Sequence, residues 1–315
     1  MQPDRYSICT ATLGIIILLL IFFVENEETD EIESFYHEPW RAGKNITPND
    51  FIFENEICNP ISIPPKWRYN KPWKIGFQQQ PDCPKNLKLL ILVESAPNHF
   101  EHRKVLRQFF RKMRRSDMAF FFILGRSDVE IVDEIEDDII VGDFDDKYSN
   151  LPSKTKVAYE YFADCEDPPE FMIMQDDDTV ADVEPILNIL YANEETKSRS
   201  VYGVLHTKVP RMNSWMRGKN MWVGTASWPY QNWPDYISGP CTFMDKEAAL
   251  AIADAATTAL EIFSIPIEDA LFTGILRVKG CVDIRGGAPQ CHHLVGNVDK
   301  LKTLTGYDEN WVPKR

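Results

Sequence analysis

Basic charge is scarce in this sequence. Its 34 Lys and Arg stand against 48 Asp and Glu over 315 residues, a formal net charge of −14. A protein that grips nucleic acid through a basic face needs clustered cations to neutralise phosphates. Apart from Arg111 to Arg115 no such cluster occurs, so nucleic acid is excluded as a partner. The G-x-x-x-x-G-K-[ST] loop and the G-x-S-x-G elbow are also missing, which removes two large enzyme classes. No two of the seven cysteines have the C-x-x-C spacing of a zinc site. Internal repeats and long low-complexity tracts are absent. What remains has the apolar and charged fractions of an ordinary globular protein and is long enough to bury a sizeable core.

One long hydrophobic run stands apart. Ile8 to Val24 is seventeen residues without a charge, roughly 26 Å as a helix, close to the thickness of an early-secretory bilayer. It ends on Phe22, Phe23 and Val24, where a cleaved signal peptide would need small residues, so an anchor is expected. Arg5 precedes the run and six acids follow it between Glu25 and Glu33, which orients the N-terminus to the cytoplasm. The sequence thus divides into a tail (1–7), an anchor (8–24), an acidic and then Pro- and aromatic-rich luminal stem (25–84) and a folded domain (85–315). Six cysteines fall on the luminal side, and disulfides are expected there. Of fifteen connectivities, short loops favour Cys58 with Cys83 and Cys281 with Cys291. Asn45-Ile46-Thr47 is a glycosylation sequon.

From Leu87 the pattern alternates. Strands are expected at Leu87–Val93, Ala119–Leu124, Ile139–Val141 and Phe171–Met174, with helices at Glu101–Met113, Val129–Ile135 and Lys154–Phe162 between them. Such alternation predicts an α/β fold with a mainly parallel sheet, whose ligands sit outside the carboxyl ends of the strands. After Pro210 the sequence is loop-rich and aromatic, until an alanine-rich helix over about 246–260 with Asp245 as its N-cap.

Asp176, Asp177 and Asp178 follow directly on the strand F-M-I-M. In extended chain Asp176 and Asp178 face one way and Asp177 the other, so two hard oxygen ligands can converge on Mn or Mg beside substrate phosphates. Glu268-Asp269, in an apolar setting after a Pro, offers a general base at a helix start. His292 and His293 could complete a metal shell. Arg103 and Arg107, four apart on a basic helix, share a face that suits a diphosphate or an ion pair with the sheet edge. The later aromatic residues, Trp233 and Tyr236 among them, could stack on sugars or only build the domain.

These blocks resemble the β-1,3-galactosyltransferase and β-1,3-N-acetylglucosaminyltransferase group, glycosyltransferase family 31, over roughly residues 87–296. The family's R-x-x-I-R-x-T-W is similar to R-K-V-L-R-Q-F-F from Arg103 to Phe110, and its F-L-L-G to Phe122–Gly125. Its D-F-x-D-x-Y-x-N-L-x-x-K-T appears as D-F-D-D-K-Y-S-N-L-P-S-K-T from Asp143 to Thr155. Its D-D-D matches Asp176–Asp178, its Y-P-x-Y-x-x-G resembles Trp233–Gly239 and its E-D-V-x-x-G resembles Glu268–Gly274.

The resemblance implies a GT-A type catalytic domain that moves galactose or N-acetylglucosamine from a UDP-sugar to a glycan hydroxyl with inversion, using Mn, in a type II protein of the Golgi membrane. By position it implies Asp178 as principal metal ligand supported by Asp176 and a late histidine, His292 or His293. Asp269 (or Glu268) would be the base. Arg103, Arg107, Asp143, Lys154, Asp176 and Asp177 would serve the donor, and Trp233, Tyr236 and Gly239 the glycan acceptor on protein or lipid. A glycan-binding relative without catalysis and a metal-dependent phosphohydrolase are the competing classes; the intact acidic pairs weigh against the former, the remaining blocks against the latter.

Overall fold

A computed structural model describes residues 74–128, 137–194, 199–211, 223, 228, 230–258, 265–286 and 291–312. The expected tail, anchor and sequon, most of the stem, and the expected helix at 129–135 lie outside these residues. Among the described residues no helix is long and apolar enough to cross a membrane.

An eight-stranded sheet carries the described fold. Its strands are β1 (Phe77–Gln79), β2 (Leu89–Glu94), β3 (Met118–Arg126), β4 (Ile139–Asp145), β5 (Phe171–Asp176), β7 (Ser200–His206), β8 (Tyr236–Asp245) and β9 (Asp283–Gly286). They lie in the order β1-β4-β3-β2-β5-β8-β7-β9. The four central strands β4, β3, β2 and β5 run parallel, as the alternating pattern predicts; β8 then joins β5 antiparallel. A separate ribbon pairs β6 (Thr179–Ala181) with β10 (Cys291–His293).

Strand β2, L-L-I-L-V-E, shows why the sheet is covered on both sides. Its side chains alternate between faces, and Leu90 and Leu92 enter one core while Leu89, Ile91 and Val93 enter the other. Helix α1 (Phe100–Met113) contributes Val105, Leu106 and Phe110 to the second core, together with α3 (Val183–Glu194). Helices α2 (Leu151–Asp164) and α4 (Lys246–Thr258) fill the first. A final helix, α5 (Val298–Thr305), places Leu301 in the second core. Asp245 caps α4 as expected: its Oδ1 accepts the Ala248 N–H at 2.8 Å and its Oδ2 the Ser200 N–H at 2.8 Å.

The disulfides differ from the short-loop expectation. Cys83 pairs with Cys165 and Cys241 with Cys291, across 82 and 50 residues; Cys281 is also disulfide-bonded. Loop-closure entropy rises only with the logarithm of loop length, so sequence proximity gives little advantage over the spatial neighbours that the sheet supplies.

The strand order places one feature without further assumption. β3 and β4 lie on one side of β2 and β5 on the other, so the order of strands reverses between β2 and β5. Sheets of this kind open a crevice at the carboxyl ends beside such a reversal. Glu94 and Asp176 end these two strands and are paired in register.

Candidate active site

The three aspartates divide as expected, although only Asp176 lies in β5 and Asp177 and Asp178 form the turn after it. Asp177 turns inward to the loop after β2, where its carboxylate accepts the Ser95 hydroxyl at 2.6 Å and lies 2.9 Å from His99 Nδ1. Burial alone raises its carboxyl, but the bonds and charge of His99, with Ser95, outweigh this and hold it below the usual carboxylate range. Asp177 therefore fixes the end of β5 to the β2–α1 loop.

Asp176 and Asp178 face a different partner. With His293 they offer one ligand atom each, all within 4.8 Å of one another. His293 Nε2 lies 3.3 Å from Asp178 Oδ2, an oxygen that also accepts the Gly296 N–H at 2.5 Å. Asp178 Oδ1 is buried with no hydrogen-bond partner, a costly arrangement for a carboxylate oxygen. The carboxyl of Asp176 is pushed well above its ordinary range by burial and then by Glu94, Asp178 and Asp177. An oxygen without a partner, a second carboxylate that resists ionising and an imidazole together fit a divalent cation of the Mn or Mg type. His292 is not brought to this point; its Nε2 lies 3.1 Å from Asp182.

Opposite stands the second acidic pair. Glu268 and Asp269 lead into a π-helical segment, Ala270–Leu276, and Asp269 Oδ1 accepts the Ala270 N–H at 2.7 Å. Within that segment the Thr273 hydroxyl accepts the N–H of Ile237 on β8 at 2.9 Å and lies 2.8 Å from the Asp269 carbonyl. This staple holds the acids against β8 where Gly239 leaves room: a Cβ there would meet Glu268 Oε1 at 3.2 Å. Burial, then Asp269, Glu94 and Asp176, push the Glu268 carboxyl well above its ordinary range.

A cavity of about 20 Å³ joins the two halves, lined among others by Glu94, Asp176, Gly239, Glu268 and Asp269. Glu94 is absent from the sequence expectations. It accepts the Thr155 hydroxyl at 2.7 Å, and burial pushes its carboxyl up to about 7 against that hydrogen bond and the charge of Lys154. The signal was legible only in part: L-L-I-L-V-E and F-M-I-M-Q-D each end an apolar strand in an acid, but parallel pairing is needed to set the acids side by side.

The remaining expected residues build the frame. Lys154 is buried, reaching the Ser95 carbonyl at 2.5 Å and Asp146 at 2.9 Å. The Arg103 guanidinium donates to Ser95 Oγ and to the carbonyls of Ala96 and Pro97, so it shapes the loop that carries Ser95 and His99. Arg107 makes a two-pronged pair with Asp138, both bonds 2.8 Å, which is the ion-pair alternative of its two readings. Asp143 lies on β4 beside Gln78 and Arg126, away from the cavity. Trp233, 2% exposed, stacks on Trp228, and Tyr236, 8% exposed, stacks on His206.

A family model described as Galactosyltransferase matches residues 101–285, more than half of the chain. The chain belongs to this galactosyltransferase family. Members similar to it include the beta-1,3-galactosyltransferase bre-2 of Caenorhabditis elegans, 25% identical over 213 residues, covering 62% of this chain and 58% of that protein. The lactosylceramide 1,3-N-acetyl-beta-D-glucosaminyltransferase of Rattus norvegicus is 21% identical over 273 residues, 81% of this chain and 68% of that protein. The beta-1,3-galactosyltransferase brn of Drosophila melanogaster is 24% identical over 208 residues, 63% of this chain and 62% of that protein. The chain thus spans less than two thirds of the length of two of these galactosyltransferase relatives. Among solved structures, a 4-diphosphocytidyl-2C-methyl-D-erythritol synthase from Anaerococcus prevotii covers 70% of this chain and 97% of its own at 11% identity and a TM-score of 0.35, too loose a likeness to bear on function.

Proposed function

We propose that this chain is a metal-dependent, inverting hexosyltransferase that moves galactose or N-acetylglucosamine from a UDP-sugar to a hydroxyl of a glycan on protein or lipid, forming a β-1,3 linkage. The observation that carries the reading is the convergence of Asp176, Asp178 and His293 within 4.8 Å at the carboxyl edge of the sheet, with the acid pair lining the same cavity as Asp176. Galactosyl- and N-acetylglucosaminyltransferases among the relatives support the sugar class.

Asp176, Asp178 and His293 would hold Mn, which when bound neutralises charge on the departing diphosphate. Asp269 takes the proton of the attacking acceptor hydroxyl: its carboxylate lines the cavity shared with Asp176 and is held in place by the Ala270 N–H. Glu268 stands beside it, its carboxyl pushed well above the ordinary range by burial and by its acidic neighbours. Asp177, Ser95 and His99 lock the end of β5 so that its flanking aspartates keep their aim. In this reading residues 8–24 anchor the protein in the Golgi membrane, and residues 85–315, beyond a luminal stem, form the GT-A type domain.

The test is a donor screen on the full chain in detergent, recording UDP released from each UDP-sugar with Mn present or chelated. Mn-dependent release from UDP-galactose or UDP-N-acetylglucosamine is expected. Equal release under chelation would overturn the metal's part, and bound UDP without release from any donor would assign the chain to non-catalytic glycan binding.

A further inference from the structure

We infer that the Cys241–Cys291 disulfide is a positioning device that determines which of two adjacent histidines faces the metal position. The inference rests on reading Asp176, Asp178 and His293 as a metal site. It starts from the sequence C-H-H at 291–293, in which two imidazoles stand side by side on one strand. Neighbouring residues of a strand point to opposite faces, and residues two apart to the same face. Cys291 and His293 therefore share a side and His292 takes the other. The structure agrees: Cys291 and His293 line one cavity of about 200 Å³ together with Cys241 and Thr179, whereas His292 turns to Asp182.

Beside the disulfide, the packing of Leu294 against the second core is the main further determinant of that choice. β10 is three residues long and, among the described residues, pairs with the equally short β6, Cys291 opposite Ala181 and His293 opposite Thr179. A slip of one residue in such a ladder exchanges the two faces of the strand, and here it replaces one imidazole by another, so the histidines themselves do not set the register. The bonds from Leu294 N–H to the Asp178 carbonyl and from Gly296 N–H to its carboxylate follow the histidines and are backbone donors that any residue supplies.

The disulfide does discriminate. Cys241 sits on β8 directly opposite Gln175, the residue before Asp176. The bond thus ties β10 to the strand that pairs with the aspartates' own strand. With Cys291 committed to the β8 side, parity sends His293 to Asp178 and His292 away. Supports of metal ligands commonly change metal affinity by about 10- to 100-fold when removed.

The experiment measures Mn affinity of the full chain, counting free Mn by its electron paramagnetic resonance signal, for wild type, H292A, H293A, C241S/C291S and both histidine variants in the C241S/C291S background. In the intact protein H293A should weaken binding at least about tenfold and H292A less than about twofold. C241S/C291S should bind about tenfold more weakly, and in that background H292A should cost as much as H293A. A C241S/C291S protein that keeps wild-type affinity and still depends on His293 alone overturns the positioning role while leaving the metal site standing. An intact protein that binds no Mn, or binds it equally without His293, overturns the metal reading and this inference with it. Two controls complete the design. C83S/C165S removes a different disulfide and should leave Mn affinity unchanged; an equal loss there would reveal general destabilisation and overturn the role. Should C241S/C291S not fold, the apolar pair C241A/C291V carries the same comparison.

Discussion

Glu94 and Asp176 depart from the behaviour of free carboxylates because of burial at the paired ends of β2 and β5. Burial raises Glu94 to about 7 from an ordinary 4.5, so between these values the folded chain holds a proton that the unfolded chain releases. Its contribution to stability is complete below about pH 4.5 and is lost as pH rises through about 7, amounting to about 3 kcal/mol. Glu94→Gln, which keeps the neutral form, is expected to flatten the fall in melting temperature between about pH 5 and pH 7.5 under chelation. Parallel melting curves for variant and wild type would contradict the burial account. At this scale the sequence was informative where acids directly follow an apolar strand, as with Asp176 and Asp178 against Asp177. It was silent on Glu94, which needs a parallel partner strand, and on His293 over His292, which needs the register of a three-residue ladder.

Elements hold these residues by a few polar contacts. The Thr273 hydroxyl satisfies the buried N–H of Ile237 and joins the π-helical segment to β8. Thr273→Val leaves that N–H without an acceptor, which costs about 2 kcal/mol. Because the same staple sets the acid pair, kcat should fall about tenfold or more with little change in KM for the donor; an unchanged kcat would separate the staple from the chemistry. The Asp245 carboxylate satisfies two backbone donors, on Ser200 and Ala248. Asp245→Ala is expected to cost about 2 kcal/mol in a urea titration with no effect on metal affinity, since the cap lies at the opposite end of its strand. Elements with strong local signals, β2, α1, α2, β5 and α4, were legible to within a few residues. Strands β7 and β8 were not, because they flank an aromatic, loop-rich stretch whose order comes from pairing with distant strands, and the ribbon was not, because its three-residue strands are too short to show a period.

At the scale of the molecule, sheet order explains why the chemistry gathers where it does. The reversal between β2 and β5 opens one edge, the three aspartates lie at the end of β5 and in the turn after it, and segments about 90 (268 − 178) and 115 (293 − 178) residues later return the acid pair and His293 to the same edge. Disulfide connectivity belongs to this scale too, and short loops misled because closure entropy discriminates weakly between them. The fold class followed from alternating apolar periods, and the site's location from acids that end an apolar strand. The most direct test of the central claim, a metal-dependent nucleotide site at this edge, is a calorimetric titration of UDP into the full chain with Mn present or chelated, for wild type and Asp178→Asn. UDP is expected to bind wild type at least about tenfold more tightly with Mn than without, and the variant should behave as the chelated protein does; equal affinities with and without Mn, or an Asp178→Asn protein that retains the Mn effect, would contradict it.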